Sequence, residues 1–138
     1  MTRWRLLGAV TAAVGTFALA PVQASANVGP ELDRWLFSIA EDQKQPTESR
    51  KKALFWLGQQ RRTPVASLAS FYDRVKDPEL REQAIFVLSQ RHETAAVDKL
   101  IDIARHESDK RLRGKALFWL GQSHDPRVKD ILMEIINQ

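Results

Sequence analysis

Cysteine is absent from the 138 residues, which excludes disulfide frameworks, thiolate zinc sites, lipid attachment and thiol nucleophiles in one step. Glycine and proline are scarce at 6 each, so collagen-like and low-complexity readings fall away. No glycine-rich phosphate loop and no nucleophile elbow occurs in the chain. The three histidines, His92, His106 and His124, fall at unrelated places, and no two share a helical face at ligand spacing. Carboxylates such as Glu79/Glu82 and Asp98/Asp102 sit where solvated helices carry charge. The residues therefore predict no catalytic site, no metal and no cofactor. With apolar residues at 43% and charged residues at 28%, the chain reads as one small globular unit.

What is present begins with a leader. Arg3 and Arg5 without an acid, an apolar run from Leu6 to Ala20, then Pro21 and Ala24-Ser25-Ala26 make the three parts of a secretory signal peptide, residues 1–26, with cleavage after Ala26. The apolar run is short for a membrane span, so a periplasmic or secreted protein without a membrane anchor is expected. Of 21 cations the leader removes two, leaving 19 against 17 acids, or +2.

The rest is repetitive. Lys52 to Gln59 and Lys115 to Gln122 are identical, and Gln83 to Gln90 is a third, related copy. Ala53, Ala84 and Ala116 recur at intervals of 31 and 32, each with an arginine three residues earlier: Arg50, Arg81 and Arg113. A period near 31 predicts stacked helix pairs. First helices are expected over 48–60, 78–91 and 110–122, and second helices over 64–75, 94–106 and 126–137. Pro64 and Pro126 suit first turns, Thr94 and Asp77 or Ser108/Asp109 suit caps, and Gly58 and Gly121 suit helix ends. An amphipathic helix over 30–42 precedes the array as a cap. The organisation is then 1–26 leader, 27–47 capping helix and linker, and 48–138 repeats, divided as 48–77, 78–109 and 110–138.

Asp77-Pro78-Glu79-Leu80-Arg81 with Ala84 and Leu88, and Asp109-Lys110-Arg111-Leu112-Arg113 with Ala116 and Leu120, resemble the HEAT-like repeats first named from phycobilisome lyases. The likeness covers about residues 45–138, and the Phe-Trp-Leu-Gly-Gln variant is similar to secreted bacterial HEAT-repeat proteins. The resemblance implies an all-α solenoid whose turn-proximal Asp77, Arg81, Asp109, Arg113 and Asp125, with Arg50, form a ladder between repeats. Repeat one departs from the pattern, with Gln45-Pro46-Thr47-Glu48-Ser49 ahead of Arg50.

A helical projection at 100° per residue, with the alanine at 0°, puts Trp56 and Trp119 at −60° among the expected core positions. It puts Phe55, Phe86 and Phe118 near 200°, outward, with Gln59, Gln90 and Gln122 four residues later. That Phe/Gln stripe is either a partner surface or part of the repeat packing. The expected function is a non-catalytic protein–protein interaction scaffold. Rival classes are an accessory or enzyme of phycobilin-lyase type, and a solenoid that binds anionic polymers or nucleic acid through Arg50-Lys51-Lys52, Arg61-Arg62 and Arg111 to Lys129. Interleaved acids and the low net charge make nucleic acid the weaker fit. An unprotected last repeat, with Leu117 and the Ile131/Ile135 side open, predicts end-to-end self-association.

Overall fold

The computed structural model describes residues 23–138, so the expected leader lies outside the described residues except for Gln23 to Ala26. Seven helices follow one another: α1 (Gln23–Glu41), α2 (Thr47–Gln59), α3 (Val65–Arg74), α4 (Pro78–Ser89), α5 (Thr94–His106), α6 (Lys110–Gly121) and α7 (Val128–Ile136). Helices α2, α4 and α6 pack side by side as one row, and α3, α5 and α7 as a second row behind it. This is the all-α solenoid that the 31-residue period predicts.

Local chemistry explains the starts of α4 and α6. Asp77 accepts from the Glu79 amide to open α4, and Asp109 accepts from the Arg111 and Leu112 amides to open α6, each satisfying donors that an α-helix leaves free in its first turn. Thr94 is not a cap: Glu93 holds that position, without a side-chain bond. Pro126 lies in a turn before α7 rather than in its first turn, and Asp125 ahead of it accepts from the Arg127 amide and guanidinium. Helix α1 starts upstream of the expected boundary and runs through Pro30, forgoing the one hydrogen bond that a proline nitrogen cannot donate.

The glycines behave differently from expectation. No glycine has positive φ among the described residues, so neither Gly58 nor Gly121 ends its helix by a left-handed cap. Gly58 is buried inside α2, and a Cβ there would lie 2.5 Å from Cγ1 of Val87 on α4. Its role is close approach of two neighbouring helices of the first row. Gly121, in the identical sequence segment, has nothing within 4 Å.

The core joins the two rows. Ala53, Ala84 and Ala116 with Leu57, Leu88 and Leu120 are buried from the first helices; Leu68, Phe71, Tyr72, Leu100, Ile103 and Ala104 meet them from the second. Leu36 and Ala40 of α1 complete the near end. Trp56 is the clear correction, being 55% exposed, while Trp119 is half-buried. In α2 the buried positions are Arg50, Ala53, Leu54, Leu57 and Gly58, centred near 70° rather than 0° on the projection, and Trp56 lies about 130° from that centre. The −60° position lies on the flank toward the preceding repeat and not toward the second row, and on α2 no other described first helix covers that flank.

Candidate functional site

Each first helix has two flanks, and sequence position relative to the alanine decides which residue lies on which. The forward flank carries the positions one, two and five after the alanine; the backward flank carries those four before and three after. Between α2 and α4 the forward Gly58 meets the backward Val87, with Leu54 and Leu80 buried on the same flanks. Between α4 and α6 the forward Phe86 and backward Trp119 rings stand edge to face with centroids 5.5 Å apart, with Ile85 and Leu112 buried on the same flanks. Such aromatic pairs add stabilisation beyond the area they bury.

That rule resolves the Phe/Gln stripe. Phe55 and Phe86 are half-buried, because a following repeat covers the forward flank; Phe118, with no following helix against it, is 57% exposed. The phenylalanines thus vary with position in the array, as packing residues do. The glutamines do not vary: Gln59, Gln90 and Gln122 are all exposed, at or one residue past the C-terminal ends of three adjacent helices.

Two of these glutamines share a cleft. The turns that join α4 to α5 and α6 to α7 enclose about 400 Å³ lined by Gln90, His92, Trp119, Gln122, His124 and Asp125, among others. Its walls come from the repeat itself, since turns of equal position stack when helices stack. The cleft does bring two histidines and one carboxylate together, yet the carboxylate is engaged: the Arg127 guanidinium and amide hold the Asp125 carboxyl below its ordinary range. Among the described residues no group of three or more His, Cys, Asp or Glu could hold a metal ion. What the cleft offers chemically is amide donors and acceptors beside an indole face.

The ladder residues are arranged in a different way from simple Asp–Arg rungs. Arg50 donates from Nε to the Ala40 carbonyl at 2.9 Å, near the C-terminus of α1, and lies 3.8 Å from Asp77. Arg113 donates from Nη1 to the Glu107 carbonyl just past α5. Both place a cation at the negative end of the preceding helix, where carbonyls lack helical partners. Arg81 instead pairs with the buried Glu107 carboxylate at 2.8 Å and lies over the Tyr72 ring. Asp77 and Asp109 are chiefly caps, and Asp125 pairs with Arg127.

Glu107 and Arg91 carry structural roles that periodicity does not reveal, because neither recurs at the equivalent positions of the other repeats. Burial pushes the Glu107 carboxyl up, but the Tyr72 hydroxyl, the Asp109 amide and Arg81 outweigh it and leave it below the ordinary range. The same burial, with the bond to Glu107, drives the Tyr72 phenol far above its ordinary value. Arg91 reaches back to the Gln60 and Arg61 carbonyls at 3.3 Å, tying one inter-helix turn to the previous one. No sequence signal marks them, because what sets them apart is burial, a tertiary property.

The second-helix row and the basic clusters are largely self-neutralised. Arg74 pairs with Glu41, Lys99 with Asp73, Arg127 with Asp98 and Arg105 with Glu134, each across neighbouring helices. In the expected anion-binding clusters, Lys51 bonds Glu48, Arg62 bonds Asp33, and Arg111 and Lys115 both bond Glu82. Phosphate would have to displace carboxylates already in place, which further weakens the nucleic-acid reading.

Comparison with known proteins adds one result. A family model described as HEAT repeats matches residues 34–117 and 65–138. No curated protein and no solved structure matches the chain.

Proposed function

The chain belongs to the HEAT-repeat family, and from that premise we propose that it is an exported, non-catalytic scaffold that holds a protein partner along the C-terminal ends of its first helices. The carrying observation is the exposed row Gln59, Gln90 and Gln122, of which the last two line one cleft with Trp119, His92 and His124. Amide side chains both donate and accept, so a row of them spaced by the helix packing distance of about 8–10 Å suits the alternating carbonyl and amide groups of an extended peptide. The opposite row presents paired charges, whose net field is small and whose contacts are already made within the molecule. Export rests on the arginine-flanked apolar segment and the Ala24-Ser25-Ala26 site.

The test is site-specific photocrosslinking in the producing cell from position 90 or 122, with position 73 on the other row as control. A discrete crosslinked species from the first two positions and none from the third is expected. Its loss in a Gln90→Lys/Gln122→Lys variant that keeps the wild-type melting temperature completes the case. Equal crosslinking from both rows would refute the assignment of the face. N-terminal sequencing of the chain from the periplasm or medium should begin at Asn27; retention of Met1 in the cytoplasm would refute export.

A further inference from the structure

The two ends of the first-helix row expose opposite flanks of helices that share an eight-residue sequence. At the far end, the forward flank of α6 is uncovered: Leu117 is half-buried where Leu54 and Ile85 are fully buried, Phe118 is 57% exposed, and Gly114 and Gly121 have nothing within 4 Å of a built Cβ. At the near end, no described first helix lies on the backward flank of α2: Ser49 is exposed where Leu80 and Leu112 are buried, and Trp56 is 55% exposed where Val87 is buried and Trp119 half-buried. Since α2 and α6 share Lys-Ala-Leu-Phe-Trp-Leu-Gly-Gln, the open half at one end is built for what the other end presents.

We infer that a second copy of this chain seats its α2 on the α6 of the first, head to tail, and repeats the internal α4–α6 contact between molecules. The intermolecular register follows from the internal one. Phe118 takes the place of Phe86, and Trp56 of the next copy takes the place of Trp119, giving the edge-to-face pair seen at 5.5 Å inside the molecule. Gly121 stands where Gly58 receives the Val87 side chain, and its missing Cβ leaves room for the larger indole. Charge does not oppose the contact: Glu48 holds in α2 the place that Arg111 holds in α6, and the place of its internal partner Glu82 is taken in α6 by the uncharged Gly114. Internally, Glu82 of α4 already draws Arg111 and Lys115 of α6 across the same kind of boundary.

A contact between two different surfaces is heterologous, so it propagates: each copy keeps one open end of each kind until a ring closes. This inference is independent of the glutamine row, which lies at the helix ends and stays exposed in the assembly.

Sedimentation velocity and light scattering on the chain as purified from the producing cell, from ~10 μM to ~1 mM, span the range in which small interfaces assemble. The weight-average mass should climb past that of a dimer. Trp56→Lys and Phe118→Lys each leave the other end intact, so each variant alone should stay monomeric, while their equimolar mixture should give a dimer that grows no further. A wild-type chain that stays monomeric at ~1 mM would overturn the inference. So would a dimer that only one of the two substitutions abolishes, or variants that assemble as the wild type does. Circular dichroism showing both variants as helical as the wild type separates lost association from lost folding.

Discussion

Gly58 and Gly121 occupy the same place in identical sequence segments, and alanine should have opposite effects at the two. In isolation, Gly to Ala within a helix stabilises by about 1 kcal/mol. At Gly121 the new methyl meets open space, and because the residue ends α6 the gain should be roughly half that, about 0.5 kcal/mol. At Gly58 the methyl would sit 2.5 Å from Cγ1 and 3.2 Å from Cγ2 of Val87. Val87 is 1% exposed, and a β-branched side chain in a helix has essentially one rotamer, so it cannot swing aside. The helices must separate, at an overpacking cost of about 1–3 kcal/mol. After subtracting the helical gain, Gly58→Ala should destabilise by about 1 kcal/mol, and the two variants should differ by about 1.5 kcal/mol. For a domain of this size that is a separation of roughly 5 °C in melting temperature. Thermal and urea unfolding monitored by circular dichroism will measure it. Adding Val87→Ala should remove the clash and restore the gain at position 58, a coupling that the double-mutant cycle reads directly. If Gly58→Ala stabilises as much as Gly121→Ala, the close-approach argument is wrong, and with it the assignment of forward and backward flanks.

Trp56→Ala should cost about 1 kcal/mol or less, far below the ~3–5 kcal/mol of a core tryptophan, while Trp119→Ala, which also loses the Phe86 contact, should cost distinctly more; equal losses in urea titrations would count against the exposure difference. Glu107 has its folded pKa below its ordinary value of 4.5, so its contribution is fully present above about pH 4.5 and is lost as pH falls through the folded value. Glu107→Gln should therefore be less stable than wild type by about 2 kcal/mol at neutral pH, with the two unfolding curves converging in acid; a constant gap down to strong acid would show that the carboxylate charge plays no part. Tyr72→Phe removes the hydroxyl that donates to Glu107, so it should cost about 1 kcal/mol and move the acid loss of stability to higher pH. Arg50→Met strips the guanidinium from the Ala40 carbonyl and should detach α1 first, visible as faster amide exchange in α1 than in α5.

The fold was legible because it is written three times. The interval between Ala53, Ala84 and Ala116, the arginine three residues before each, and the Asp77 and Asp109 caps all point to helix pairs, and each copy supports the other two. The flanks were not legible in the same way. A single-helix projection counted the flank toward the preceding repeat as core, so it placed Trp56 with Trp119 there and all three phenylalanines outside. In the array, a residue's neighbours are set by which repeats lie on either side, and identical residues at the two ends meet different surroundings. Of the candidate site, the glutamine row was readable from spacing alone, whereas its pairing with His92, His124 and Trp119 in one cleft depends on how turns stack.

Sequence alone determined the helical period and the Asp77 and Asp109 caps, because these arise from local hydrogen bonding and from apolar spacing along one helix. Only the tertiary structure decided which copy of a repeated residue is covered. Glu107 becomes a buried acid through Tyr72 and Arg81, thirty-five and twenty-six positions away in the chain. Gly58 touches Val87 and Gly121 touches nothing, since burial is a property of neighbours and the same eight residues have different ones.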